Sequence, residues 1–292
     1  MLFKDIVGHG DIAEKLRLGV HSGRVAHAQL FDGPEGSGAV DLVLAYAQYL
    51  HCENQGEDDS CGACSSCRSY ASFQHPDLHF SFPFFKADGV DRATSIPFQG
   101  KFRELLMTGP HFGLEDWLSA LGADRKQLFI SVHEAAEIGR KLGLKSFKGG
   151  PKILILWLPE MMRVDTANKM LKLIEEPTDG TVLLFISVSY DRLLATIRSR
   201  VQRVRVPRLR DEEAAAGLAQ LTDFSIEKCT EIARLAEGNM AAAKRLASAA
   251  IDAPDADLFI GWMRACWAQD MEEMVSLGDA FSATGREGMK RF

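Results

Sequence analysis

Four cysteines fall within sixteen residues: Cys52, Cys61, Cys64 and Cys67, spaced C-x8-C-x2-C-x2-C. Thiolates at such short spacing suit a tetrahedral metal ion, and zinc, with Zn–S bonds near ~2.3 Å, is the expected one. Gly62 allows a tight turn between Cys61 and Cys64, and the polar loop 53–60 can close the site. Four sulfur ligands leave no open coordination position, so the expected role is structural. Disulfides are the alternative, disfavoured in a reducing compartment. An iron–sulfur cluster has no electron-transfer context nearby. His51 and His75 flank the cluster and are read as bystanders. Cys229 and Cys266 stand alone and read as ordinary buried residues.

A second candidate is the turn Gly33-Pro34-Glu35-Gly36-Ser37-Gly38. A working phosphate loop reads G-x-x-x-x-G-K-[ST]. Gly33, Gly36 and Gly38 supply the glycines, but Ala39 holds the lysine position and Val40 the hydroxyl position. Lysine neutralises the β- and γ-phosphates, and the hydroxyl ligates magnesium. Alanine and valine do neither, so ATP hydrolysis is not expected and the cradle is expected to be empty. A plain strand-to-helix turn would use the same glycines.

Two groups of cations complete the candidates. Arg198, Arg200, Arg203 and Arg205 form a basic run that, on its own, reads as surface charge. Arg140, Lys141, Lys145, Lys148 and Lys152 lie within thirteen residues. They suit either salt-dependent phosphate contacts or the C-terminal end of a solvated helix.

These residues need elements to hold them. Residues 28–31 form a short apolar run that feeds the glycine turn, and an apolar helix follows over 40–50: strand, loop, helix. The continuous apolar runs 152–157 and 181–187 read as buried strands of a parallel sheet. Asp165 is the expected cap of a helix over 166–175, which stops near Pro177. Residues 201–206 alternate as an edge strand does. Helices are expected at 11–22, 134–144 and 193–198, and an extended entry at 127–132. Strands alternating with helices imply a parallel α/β sheet. Residues 80–127 are read as an insertion, in which 80–85 suit a strand or a loop. From Asp211 onward only helices are expected: 213–221, 225–236 and 240–250. Pro254 then marks a linker, and a helix over 257–269 follows.

Composition bounds the reading. Of the 292 residues 46% are apolar and 25% charged, a soluble globular balance. The net charge of −6 argues against wrapping nucleic acid with the whole surface. No apolar run approaches the ~20 residues of a membrane span. The opening residues 1–6 lack a signal peptide's apolar core, so the expectation is cytoplasmic.

The segment Asn168-Lys169-Met170-Leu171-Lys172-Leu173-Ile174-Glu175-Glu176-Pro177 resembles the Asn-x-x-Leu-Lys-x-x-Glu-Glu-Pro signature of bacterial DNA polymerase III clamp-loader AAA+ subunits. Thr196-Ile197-Arg198-Ser199-Arg200-Val201 is similar to the family's Ser-Arg-Cys motif, with Val201 replacing cysteine. Residues 3–8, 27–34 and His75-Pro76-Asp77 fit as well, so the resemblance covers roughly residues 1–250. It implies an AAA+ phosphate-loop-type parallel sheet at 1–207, carrying the zinc module at 52–67. A helical lid would follow at 208–250, and the start of a helical collar at 251–292.

Within the family, subunits of the gamma/tau type keep the loop lysine and an Asp-Glu pair after the second core strand. Trp157 and Leu158 occupy those acidic positions here, and Glu160 lies two residues late. The pattern resembles the delta-prime type, which lacks a working loop but keeps the motif arginine. The resemblance implies that Arg200, beside Ser199, acts in trans as an arginine finger on the ATP of a neighbouring gamma/tau subunit. The implied partners are gamma/tau, delta, and through them the sliding clamp and primer–template DNA. The alternative is a gamma/tau-like ATPase that binds its own ATP.

Overall fold

Every core strand that the apolar runs predict is present in the computed structural model, which describes residues 1–86, 92–109, 111–123, 126–251 and 256–283. The strands are β1 (Ala28–Asp32), β2 (Leu78–Ser81), β3 (Lys152–Trp157), β4 (Thr181–Ser187) and β5 (Gln202–Arg205). They form one parallel sheet in the order β2-β3-β4-β1-β5. All residues of β3 and β4 are buried, as both faces of a parallel sheet require. Strand β5 is mostly exposed and forms one edge.

The two-residue period of the strands sorts their side chains into two cores. Phe31, Ile153, Ile155, Trp157, Leu184 and Ile186 face one side. There they meet α1 (Gly10–His21), α2 (Ala39–His51) and the insertion. Leu30, Leu154, Leu156, Leu183 and Phe185 face the other side. That side is covered by α6 (Val132–Leu142), α7 (Val164–Glu175) and α8 (Ala195–Arg198). Helix α2 is buried nearly all round, as a helix packed between two layers must be. A short α3 (Ser65–Ala71) follows the cysteine loop.

The insertion is a folded part of the first core. It contains α4 (Gln99–Met107) and α5 (Leu114–Leu121). Residues 80–85 are neither wholly strand nor wholly loop: β2 ends at Ser81, and Phe84 then bridges Phe129. Aromatic rings knit the insertion together. Phe82 stacks on Phe102 at 4.0 Å, and Trp117 stands edge-on to both at 5.1 and 5.4 Å. Trp117 is fully buried and donates from Nε1 to Pro83 O at 2.7 Å. The buried Glu134 carboxylate accepts from Ser95 N and Ser95 Oγ, both at 2.7 Å, and so straps the insertion to α6.

One cap differs from the expectation. Helix α7 starts at Val164 with Arg163 as its N-cap residue. Asp165 lies inside the first turn, where its carboxylate accepts from Thr166 N at 2.8 Å. An acid there still complements the helix dipole.

After β5 come α9 (Asp211–Ala219), α10 (Ile226–Leu235) and α11 (Met240–Ile251), then α12 (Ala256–Ala268) and α13 (Met271–Ala283). The chain divides into two compact units, 1–244 and 245–292. In the second, α12 packs on α13: a β-carbon on Gly278 would lie 3.4 Å from the Trp262 ring. Pro254 and the last residues, 289–292, lie outside the described residues. No described helix is long and apolar enough to cross a membrane.

Trp117→Ala should lower stability by about 3–5 kcal/mol, the cost of emptying a large aromatic site. Trp117→Phe should lose less, about 1–3 kcal/mol, because it mainly leaves Pro83 O without its donor. Urea unfolding at unchanged m-value measures both.

Candidate functional site

Strand β1 lies between β4 and β5, so the turn after it sits at a switch point of the sheet, at the carboxyl ends of the strands. Ligands of open α/β sheets bind there. Gly33 N donates to Ser187 O at 3.1 Å, and Gly38 is the N-cap residue of α2. The turn thus runs from the end of β1 straight into the first turn of α2. Ala39 and Val40 follow it without a cation or a hydroxyl.

The cradle above the loop is occupied by the protein itself. Phe112, from the insertion, and Trp157, from the end of β3, stand edge-on with ring centroids 5.2 Å apart, and both line the loop cavity. The space open to water centres is about 20 Å³; a single water needs roughly 10–15 Å³ of such space. The neighbouring charges are acidic. Asp41, in the first turn of α2, is buried, and His111 Nδ1 stands 2.8 Å from its Oδ2 without forming a hydrogen bond of ordinary geometry. Glu35, inside the loop, accepts from Leu114 N at 3.0 Å and caps α5.

The second strand end offers no substitute acid. Trp157 closes β3, and Leu158 turns through a left-handed backbone (φ 55°). Glu160 accepts from Val188 N at 2.9 Å beyond the end of β4, and burial pushes its carboxyl pKa up.

Arg200 lies at the opposite end of the sheet. It precedes β5, whose register pairs Gln202 with Gln29 and Arg205 with Asp32. The length of β1 separates it from the glycine loop, about 15 Å at ~3.3 Å per residue. Its guanidinium is 39% exposed and braced by three groups. Nε donates to Glu175, and Nη1 donates to Thr196 O at 3.0 Å and Ser199 Oγ at 3.1 Å. The two sequence motifs, ending at Glu175-Glu176-Pro177 and at Ser199-Arg200, thus meet in one ion pair. Arg203, by contrast, pairs with Asp32 of β1 and covers the Tyr190 ring.

The four clustered cysteines converge, with all Sγ atoms within 4.8 Å of one another. Tetrahedral bonds of ~2.3 Å need sulfurs roughly 3.8 Å apart, and Cys61 and Cys67 already stand at 3.9 Å. Amides surround the sulfurs: Cys64 N and Ala63 N donate to Cys61 Sγ, Cys67 N to Cys64 Sγ, and Cys61 N to Cys52 Sγ. The donor set fits a metal ion such as zinc. Among the other cysteines, Cys229 is buried as expected, but Cys266 is partly exposed on α12.

His51 and His75 do more than flank this cluster. Their rings stack at 4.1 Å. His51 contacts Tyr70 Oη at 2.6 Å, and His75 contacts Ser66 Oγ at 3.2 Å. Burial holds His75 down to about 4. Asp77 accepts from Phe147 N at 2.7 Å, Lys148 N at 3.1 Å and Ser146 Oγ at 3.2 Å. The His75-Pro76-Asp77 motif therefore latches α3 and the loop before β3 onto the sheet.

The five-cation stretch does not form a patch. Lys152 is buried and donates to Leu142 O, to Leu144 O at 3.2 Å and to Thr178 Oγ1 at 3.1 Å, closing the end of α6. Lys148 reaches Ser65 Oγ at 2.5 Å and Glu53 at 3.6 Å, beside the cysteines. Arg140 pairs with Glu137 at 2.7 Å. Lys145 is exposed to solvent, and Lys141 is half-buried.

The family model described as DNA polymerase III, delta subunit, matches residues 8–210. The chain belongs to this DNA polymerase III subunit family. A delta-prime subunit of Pseudomonas aeruginosa is 29% identical over 76% of this chain and 56% of its own length. The delta-prime subunit of Escherichia coli is 27% identical over 80% of the chain and 58% of its own. The tau subunit of Bacillus subtilis is 22% identical over 85% of the chain and 38% of its own. The chain spans about half the length of the delta-prime relatives it matches.

Spacing alone does not reveal the aromatic filling of this polymerase-subunit loop or the Asp77 latch. The one available signal for the latch is His75-Pro76-Asp77 itself, a compact motif with two ionisable groups. Cys61 is the most acidic thiol of the cluster for which a shift is resolved, brought down to about 6 by the Ala63 and Cys64 amides. Burial pushes Cys67 up. In chelator-treated protein at pH 7, Cys61 is thus largely thiolate and Cys67 is thiol. Iodoacetamide mapped by mass spectrometry should label Cys61 first and Cys67 last, and added zinc should protect all four.

Proposed function

We propose that the chain is a non-hydrolysing subunit of a DNA polymerase III clamp loader, of the delta-prime type. The observation that carries this reading is the contrast between the two ends of one sheet. At the carboxyl end the phosphate loop has neither lysine nor hydroxyl, and Phe112 and Trp157 fill its cradle. At the other end Arg200 is exposed and braced. Arg200 cannot reach the chain's own loop, so its substrate contact is in trans.

In this reading Arg200 inserts into the ATP site of a neighbouring gamma/tau subunit and meets the γ-phosphate. A planar guanidinium suits phosphate oxygens better than an ammonium does. Ser199 and Thr196 O orient it, and Glu175 holds it until the phosphate arrives. The remaining partners are delta and, through the assembled ring, the sliding clamp and primed DNA. Residues 1–207 act as the core, 208–250 as a lid, and 251–292 as a helical segment for ring formation. Zinc on Cys52, Cys61, Cys64 and Cys67 would be structural: when bound, it would tie the end of α2 to α3 by bridging four thiolates and offsetting part of their charge. Relatives of both the delta-prime and the tau type support a place in this complex.

A reconstituted loader whose sole competent ATP site adjoins this chain tests the reading. Arg200→Ala should lower its turnover by roughly 10³-fold or more, with assembly intact by gel filtration. Arg200→Lys should restore little. Unchanged turnover would make the chain a passive scaffold. Titration of the isolated chain with a fluorescent ATP analogue and magnesium should show no saturable binding; micromolar binding would favour a gamma/tau-like ATPase instead.

A further inference from the structure

Three segments far apart in sequence meet directly at the glycine loop. From the loop, Glu35 caps α5 through Leu114 N, and a β-carbon on Gly113 would stand 2.1 Å from the same carboxylate. From the insertion, Phe112 lies 5% exposed in the cradle, and His111 contacts the buried Asp41. From the helical segment after β5, Met240 N donates to Gly36 O at 3.0 Å. Gly36 takes φ +70°, and a β-carbon there would meet Asn239 Oδ1 at 1.8 Å, so any side chain would push the start of α11 away. Insertion and helical segment also meet each other: a β-carbon on Gly109 would stand 3.5 Å from Lys244 Nζ.

A nucleotide could join these parts only by displacing them. The cradle leaves about 20 Å³ open to water centres, room for a water and no more. Glu35 and Asp41 place carboxylates where phosphates would need cations, and like charges at close range repel strongly in a poorly hydrated cavity. Lys244 is directed at the insertion.

We infer that the insertion is an internal replacement for nucleotide: its segment 111–114 fills the phosphate-loop cradle and helps hold the start of α11, at Met240, closed on the loop whether or not ATP is present. This rests on the reading above only in treating 208–250 as a lid. In an ATP-dependent lid, the phosphates supply the bridge between loop and helices. Here Glu35, Phe112 and the Gly36–Met240 hydrogen bond supply it permanently.

Hydrogen–deuterium exchange on the full chain, with and without magnesium ATP, tests this. In the native chain the peptide covering 237–247 should be protected and unchanged by ATP. Glu35→Ala and the milder Phe112→Leu should each speed its exchange roughly 5–30-fold, the factor that accompanies a modest loss of local stability. Peptides over β3 and β4 should stay protected, which separates lid opening from unfolding. An unprotected 237–247 peptide in the native chain, ATP-induced protection, or no response to either variant would overturn the inference. A chemical graft adds a second arm. Ala39→Lys with Val40→Thr should still bind no ATP analogue, because Phe112 and Trp157 remain; micromolar binding by the graft would also overturn it. Neither arm involves Arg200. A failed lid lock with turnover still lost in Arg200→Ala sinks this inference alone, and a confirmed lock with unchanged turnover sinks the finger reading alone.

Discussion

A strand-to-helix turn at the centre of a parallel sheet is a binding site before it has any ligand. The turn after β1 occupies that position because β4 and β5 flank β1 on either side. Its backbone polar groups and its concavity must be satisfied by something, since buried groups without partners are costly. In this chain the protein supplies part of what is needed, while Ser37 Oγ and the Asp41 carboxylate stay buried without a hydrogen bond. Met240 N takes Gly36 O, Glu35 turns outward to cap α5, and two aromatic rings occupy the space. The insertion's own core depends on this arrangement: Phe102 contacts both Trp157 and Trp117, so filling the cradle and folding the insertion are one packing event.

Carboxylates are the recurring device of the fold. Asp77, Glu134, Glu35 and Glu53 each accept from backbone amides of segments distant in sequence. Hydrogen bonds to a charged acceptor are about twice as strong as neutral ones. A chain of net charge −6 thus directs several of its acids inward, onto amides. The same logic dismantles the basic stretch, in which Lys148 and Lys152 hold the polypeptide together at the cysteine module and at the end of α6.

The legible parts of the sequence were those with a local cause. Buried strands announced themselves as apolar runs, the cysteines by spacing, and the defective loop by Ala39 and Val40. The insertion had no such signature, because its fold comes from aromatic contacts between residues 20 to 55 positions apart, such as Phe82 with Phe102 and Phe102 with Trp157. Asp165 looked like a cap because it is an acid before an apolar periodic run. The helix begins two residues earlier than expected, at Val164, and the acid serves from within its first turn. Arg200 was readable as a cation, and its motif is what suggests the finger role proposed above. Its bracing by Glu175 was not, since that pair joins residues twenty-five positions apart.

That bracing is weak enough to be useful. Arg200 and Glu175 are 39% and 47% exposed, and exposed ion pairs contribute about 0–1 kcal/mol. The Glu175 carboxylate therefore sets the direction of the guanidinium without trapping it. Thr196 O and Ser199 Oγ hold the same face from the backbone side, so the side chain loses little freedom when a stronger anion replaces Glu175. A phosphate offers more charge and a bidentate partner for the planar fork. The arginine is thus pre-oriented by a partner it can leave, while the glycine loop at the far end of β1 is closed by partners that are buried. On the function proposed above, one end of the sheet is built for exchange and the other for permanence.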